Sequence, residues 1–155
     1  MNYKEQKDII KNRNMAMELL YNSNINFNIS FENLFDFTEC INIMMNEIGL
    51  VGFDMEDFES VVKGSKRVDF FAVSEDNIVT LAEKLRHNMC DEICNGGNML
   101  FIITTNELPQ SAEPFENAID IISNSLDIKD FCFNIYECDQ KEKYKAYLFT
   151  TLCTY

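Results

Sequence analysis

The stretch MLFIITT, Met99–Thr105, contains no polar residue until its end. A short apolar run without alternation is typical of a central strand that is covered on both faces. Before it in the chain, Glu75-Asp76 and Gly96-Gly97 mark the start and end of a predicted helix. After it, beyond a loop with two prolines, Phe115–Leu126 has the apolar spacing of another helix. This alternation predicts strand–helix–strand crossovers and therefore an α/β fold.

Three further segments have the aromatic and β-branched content of strands. They are RVDFFAVS (Arg67–Ser74), FCFNIYE (Phe131–Glu137) and YKAYLFTTL (Tyr144–Leu152). The polar turn CDQKEK between the last two predicts a terminal hairpin. The sequence therefore predicts a two-layer α/β sandwich, in which a four-stranded mixed sheet carries its helices on one face.

Three helices are predicted before the first strand. They run from about Tyr3 to Tyr21, from Phe31 to Ile48 and from Asp54 to Val62. Ser30 is a plausible cap for the second helix, and the asparagine-rich NSNINFN (Asn22–Asn28) predicts a loop before it. We therefore divide the chain into an N-terminal helical extension, residues 1–28, and a domain formed by residues 29–155.

The composition restricts the classes of partner. Against 26 Asp and Glu the chain has 13 Lys and Arg, which gives a formal net charge of -13. Such a surface repels phosphate backbones and anionic lipid headgroups, so we expect no nucleic-acid or membrane partner. The start, MNYKEQKDIIKNRN, lacks the apolar core of an export signal. We expect a cytoplasmic protein whose six cysteines are reduced thiols.

An unusual concentration of acidic residues follows the second predicted helix. The stretch GLVGFDMEDFESVVKG, Gly49–Gly64, places Asp54, Glu56, Asp57 and Glu59 within six positions. Acidic side chains at a helix start act as caps and favour its positive end, so a structural role is one interpretation. A divalent-metal site is less favoured, because the mid-loop glycine and ligand spacing of an EF-hand are absent.

The order of elements and this loop resemble the C-terminal half of FtsZ and its tubulin relatives. In that family a long helix runs into a loop with the pattern G-L-I-N-x-D-F-x-D, which GLVGFDMED (Gly49–Asp57) resembles. Gly52 here replaces the asparagine, and Met55 replaces the phenylalanine. The segment LFIITTNELPQSAEPFENAIDIISNSL is similar to the family's strand I-T-G-G, acidic loop and E-x-A-D-I-I helix, with Thr105-Asn106 in place of a glycine pair.

The resemblance implies a function in filaments. Family members bind GTP through an N-terminal domain with a G-G-G-T-G-T-G loop, to which nothing in these 155 residues corresponds. We therefore expect no GTPase activity from this chain alone. In the family, the loop aspartates enter the nucleotide pocket of the next subunit and orient the attacking water. Gly52, Asp54, Glu56 and Asp57 are accordingly expected to form an interaction loop that caps or modulates an FtsZ- or tubulin-like filament.

Without the family's nucleotide-binding domain, the helix from Phe31 to Ile48 would expose apolar surface. We expect the predicted helix from Tyr3 to Tyr21, or a second copy of the protein, to cover it. Aromatic residues on this helix and on the last two strands are expected to form an interaction surface if one face remains uncovered. These residues are Phe31, Phe35, Tyr136 and Tyr147.

Enzymatic and ligand-binding alternatives remain open. His87, Cys90 and Cys94 lie at helical spacing, but no further histidine or C-x-x-C completes a zinc site. No nucleophile with an oriented base is visible either, so we predict no catalytic residue, metal or cofactor. The leading prediction is a non-catalytic protein-interaction module. The alternatives are a small enzyme or ligand-binding protein with a pocket between helices and sheet, and a self-assembling homo-oligomer.

Overall fold

The structure, a computed structural model, describes residues 2–4, 18, 26–52, 55–62, 65–89 and 97–152. Within these residues, five strands form one mixed sheet and four α-helices pack against it. The strands are β1 (Phe27–Asn28), β2 (Arg67–Glu75), β3 (Asn98–Thr105), β4 (Asp130–Glu137) and β5 (Tyr144–Leu152). The helices are α1 (Leu34–Asn46), α2 (Met55–Val62), α3 (Ile78–Asn88) and α4 (Glu113–Ser123).

Most predicted elements from residue 31 onward are confirmed to within a few residues. A 3-10 turn, Phe31–Asn33, leads into α1, and the Ser30 Oγ accepts a hydrogen bond from the Asn33 N–H at 3.3 Å. The sequence predicts that the helix between β2 and β3 ends at Gly96-Gly97. This prediction was wrong, because that helix, α3, ends at Asn88. Apart from residues 3, 4 and 18, the helix predicted from Tyr3 to Tyr21 lies outside the described residues.

The sheet has the strand order β1-β2-β5-β3-β4. β3 and β4 are parallel, whereas β5 is antiparallel to both of its neighbours, β2 and β3. The predicted β4–β5 hairpin was therefore wrong: the two strands follow each other in the chain but do not pair. The reason is burial, because Ala146–Thr151 is buried throughout and such a strand belongs in the middle of a sheet. β4 is less buried at its start and forms an edge.

Both faces of the sheet carry helices. On β3, Met99, Phe101 and Ile103 pack in one cluster with α3 and α4. Leu100 and Ile102 point the other way and pack in a second cluster with α1 and α2. The α/β sandwich class is confirmed, but the helices do not all lie on one face. The physical reason is that the apolar residues of α1 need a face of the sheet to bury them.

A fifth strand lies where the sequence predicts a loop. Phe27 and Asn28 pair in parallel with Val68 and Asp69 of β2. The Asn28 Nδ2 donates to the Asp69 Oδ1 at 2.7 Å, which satisfies a carboxylate that is almost fully buried. The sheet thus includes Phe27 and Asn28, the last two residues of the predicted N-terminal extension. Apart from these two residues, the division into an extension and a domain stays a prediction.

Asn77 begins α3, in place of the Glu75-Asp76 start predicted from the sequence. Its Oδ1 accepts from the Val79 N–H at 2.9 Å and from the Thr80 N–H at 3.1 Å. Because these amides have no partner within the helix, Asn77→Ala should lower the free energy of unfolding by about 1 kcal/mol. Urea unfolding followed by circular dichroism measures this change. Asn88→Ala, at the exposed end of the same helix, is the control, and an equal loss in both variants would refute the assignment.

Candidate interaction surface

The chain leaves α1 through an exposed apolar turn. The N–H of Glu47 donates to the carbonyl of Ile43 at 2.9 Å and closes the helix. Ile48 follows with 95% of its surface exposed, and Leu50 and Val51 are also exposed. Three large aliphatic side chains exposed to water within one turn are typical of a surface that binds another protein.

Asn134 of β4 holds this turn in place. Its Oδ1 accepts from the Val51 N–H at 3.0 Å, and the Leu50 N–H donates to the Ile135 carbonyl, also at 3.0 Å. The Asn134 amide is fully buried and fills the space where a Cβ on Gly49 would lie. Glycine at position 49 is thus required by the close approach of a buried amide, and the turn is fixed by long-range hydrogen bonds.

The acidic part of the interaction loop lies mainly on α2. Glu56 and Asp57 are exposed in its first turn, while Phe58 and Val62 are buried against the sheet. Gly52 has φ +79, a left-handed conformation that favours glycine, and no described residue lies within 4 Å of the position of a Cβ there. Asp54 lies outside the described residues, so its predicted roles as cap and as docking residue stay predictions.

The four residues expected to form an aromatic interaction surface separate into two groups. Phe31 is 91% exposed and Phe35 is 74% exposed, as an interaction surface requires. Tyr136 and Tyr147 were wrongly assigned to this surface, because both are buried. They belong to the cluster under α1 and α2, since the second face of the sheet is covered.

A polar network joins α1 to β5. The Lys145 Nζ lies 2.7 Å from the Asp36 Oδ1 and 2.9 Å from the Glu39 Oε1, and the Tyr147 hydroxyl donates to the same Glu39 oxygen. Burial alone would lower the pKa of Lys145, but its hydrogen bonds to both carboxylates raise it. Burial and the hydrogen bond to Glu39 raise the pKa of Tyr147. Both shifts favour the protonated forms of Lys145 and Tyr147, so neither side chain is activated as a base, and the network ties α1 to β5.

An open groove lies between the outer face of α1 and the loop that joins β4 to β5. Its volume is about 610 Å³. We call it the acidic groove. Its charged lining residues are Glu39, Glu47, Glu137, Asp139, Glu142 and Lys145. The apolar part of its lining includes Phe35 and Ile43. Glu47 of this lining directly precedes Ile48 of the exposed turn in the chain.

Sequence reasoning missed Asn134, Lys145 and the acidic groove. A signal existed for the first two, since each is the single polar residue in a short run of apolar and aromatic residues, FCFNIY and YKAY respectively. A lone polar residue in a buried strand indicates a specific hydrogen-bond or ion-pair partner. The groove had no local signal, because it combines a helix and a loop that are far apart in the chain.

Of the predicted histidine–cysteine cluster, His87 alone lies among the described residues. His87 is exposed near the end of α3, while Cys90 and Cys94 lie outside the described residues. Within the part of the chain that is described, no three His, Cys, Asp or Glu side chains are grouped so that they could hold a metal. Cys40 is a free thiol whose pKa is raised by burial and by the nearby Glu39 carboxylate, so it stays protonated in the core.

Comparison with solved structures identifies the architecture. An empty FtsZ dimer from M. jannaschii superposes with a TM-score of 0.56 at 14% sequence identity, over 89% of this chain and 43% of that one. The fold is FtsZ/tubulin-like. TubZ from Bacillus thuringiensis serovar israelensis, solved as GDP-form protofilaments, superposes with a TM-score of 0.51 at 13% identity, over 79% of this chain and 34% of TubZ.

The FtsZ/tubulin-like chain spans less than half the length of these structures, as expected for a part that resembles their C-terminal domain. By sequence it matches no family model and no characterised protein. Its likeness to FtsZ and TubZ thus lies in the three-dimensional arrangement. Among its described residues no helix is long and apolar enough to cross a membrane.

Proposed function

We propose that this FtsZ/tubulin-like chain is a protein-interaction module that docks on a subunit of an FtsZ- or tubulin-like filament. The observation that carries the proposal is the interaction loop and its geometry. A turn with three exposed aliphatic residues is fixed to β4 through Asn134, and the exposed acidic start of α2 follows closely in the chain. A pre-ordered turn binds without first losing its own conformational entropy.

In this proposal the exposed apolar turn and the acidic interaction loop have different roles. Ile48, Leu50 and Val51 bury apolar surface on the partner subunit and supply most of the affinity. Asp54, Glu56 and Asp57 lie beside its nucleotide, where a carboxylate positions the attacking water for phosphoryl transfer. Because these 155 residues contain no glycine-rich phosphate loop, the docked chain would offer no equivalent pocket to a further subunit, and filament growth would stop there.

The test uses purified FtsZ with GTP. About one chain per ten FtsZ subunits is added, and light scattering and phosphate release are followed together. We expect both signals to change with the native chain. Asp54→Ala/Asp57→Ala should return phosphate release to the FtsZ-only value, whereas Ile48→Ser/Leu50→Ser, which removes the apolar contact, should return both signals to it. The control is Glu116→Ala/Asp120→Ala on α4, where both residues are exposed and which lies on the other face of the sheet. If the native chain leaves both signals unchanged, or if the control loses the effect equally, the proposal is wrong.

A homo-oligomeric module is the second candidate, because Phe31 and Phe35 expose aromatic surface at the start of α1. Large exposed aromatic residues are typical of interfaces. Sedimentation velocity of the chain alone separates the candidates. Docking on a different protein leaves the isolated chain monomeric, whereas self-assembly gives a larger species whose fraction rises with concentration.

A further inference from the structure

The geometry points to a second binding surface: the acidic groove binds a basic, amphipathic segment of a partner protein. The inference rests on the groove and on the outer face of α1, not on the interaction loop. The inference is therefore independent of the proposed docking on a filament, and the two are tested by different experiments.

The groove has the shape and apolar content of a peptide site. Its volume of about 610 Å³ accommodates a few side chains rather than a whole helix. Phe35, Glu39 and Ile43 follow one another at four-residue steps on α1, so they share the helix face that forms one wall. Phe35 is 74% exposed on this wall and offers an anchor for an apolar side chain of the partner.

The charge of the groove selects a cationic partner. Among the described residues, five carboxylates line it against one ammonium group, that of Lys145, which already lies within 3 Å of Asp36 and Glu39. The lining of the groove therefore carries an excess of negative charge. The half-buried Cys138 responds to this field: burial and then the Glu47 and Glu39 carboxylates raise the pKa of its thiol. An acidic surface of this kind speeds encounter with basic partners and repels nucleic acid and anionic lipid.

A metal ion is a weaker candidate for the same site. Inside the described part of the chain, no cluster of His, Cys, Asp or Glu has the proximity that a metal requires. The carboxylates are distributed along the groove, which suits several Lys or Arg side chains spaced along a peptide. The combination of one exposed aromatic anchor with distributed carboxylates matches an amphipathic segment that has basic and apolar faces.

The test uses a fluorescein-labelled synthetic peptide of about 14 residues, with leucine on one helical face and lysine on the other. Fluorescence anisotropy with the full chain should give saturable one-to-one binding that weakens as salt increases. Asp139→Lys/Glu142→Lys, which reverses two exposed groove charges, should weaken binding about tenfold, because attraction becomes repulsion at two positions. Phe35→Ser should weaken it by a similar factor through loss of the apolar anchor.

The controls separate a site from general attraction between opposite charges. Glu83→Lys/Asp120→Lys makes the same change in net charge on α3 and α4, and it should alter affinity less than about threefold. A scrambled peptide of identical composition should bind at least about tenfold more weakly, since its apolar and basic faces are lost. Unsaturable binding, equal binding of the scrambled peptide or equal weakening by the control variant would overturn the inference. So would a dimer in sedimentation that Phe35→Ser dissociates, because a second copy would then occupy the groove.

Discussion

Replacing Phe37 with alanine is expected to lower the free energy of unfolding by about 4 kcal/mol, which is typical for truncating a buried aromatic residue. Phe37 is fully buried and is one of the residues through which α1 packs on the sheet. Its ring lies in edge contact with three others, with centroids 5.6 Å from Phe27, 5.6 Å from Phe70 and 6.1 Å from Phe149. Alanine would leave a cavity between α1 and the strands β1, β2 and β5, which cannot all move to fill it. Denaturant unfolding followed by far-ultraviolet circular dichroism measures the loss.

The matched control is Phe35→Ala, two residues earlier on the same helix. Because Phe35 is mostly exposed, its truncation should cost less than about 1 kcal/mol. The difference between the two variants tests the placement of α1 directly. Equal losses would mean that α1 does not pack on the sheet in this orientation. They would contradict the conclusion that α1 covers the second face of the sheet.

Gly97→Ala is expected to lower the free energy of unfolding by about 3 kcal/mol. A Cβ at Gly97 would overlap the carbonyl oxygen of Thr151 and lie 3.0 Å from the carbonyl carbon. These are backbone atoms of β5, so relief requires a shift of the central strand and not a side-chain rotation. The Gly97 carbonyl also accepts from the Lys129 N–H at 2.8 Å, which restricts movement of the glycine itself.

Gly52→Ala provides the comparison for this prediction. Gly52 has φ +79, but no described residue lies within 4 Å of the added methyl group, so its substitution should cost only about 1 kcal/mol of backbone strain. Thermal and denaturant unfolding of the two variants give the comparison. A loss for Gly97→Ala no larger than that for Gly52→Ala would show that β5 tolerates displacement at its end.

The sequence predicts those features of the fold that depend on interactions between residues close together in the chain. The strands from Arg67 onward and the helices α1, α2 and α4 were predictable because apolar periodicity records which side of each element is buried. The Ser30 cap was predictable too, since its hydrogen bond spans three residues. Asn77 replaced the predicted start of α3 because only the backbone direction decides which of three adjacent polar residues reaches the free amides.

The errors concern pairing and layering. Hairpin prediction relied on a short polar turn, yet β5 passes β4 and inserts between β2 and β3. Tyr136 and Tyr147 were expected on the surface because a sheet covered on one face would expose them, and they are buried because α1 and α2 cover the second face. The exposure of Phe31 and Phe35 was foreseen, but the acidic groove beside Phe35 was not.

By itself, the sequence determined the class of the fold, the identity of most helices and strands, the negative surface charge and the acidic loop after the second predicted helix. These properties depend on residues that are close in the chain or on composition alone. Tertiary structure decided the place of β5, the burial of Tyr136 and Tyr147, the anchoring of Leu50 and Val51 by β4, and the groove between α1 and the β4–β5 loop. Each of these depends on contacts between segments that are tens of residues apart in the chain. Such contacts become favourable only when the whole sheet assembles and offsets the entropy lost in closing the intervening loops.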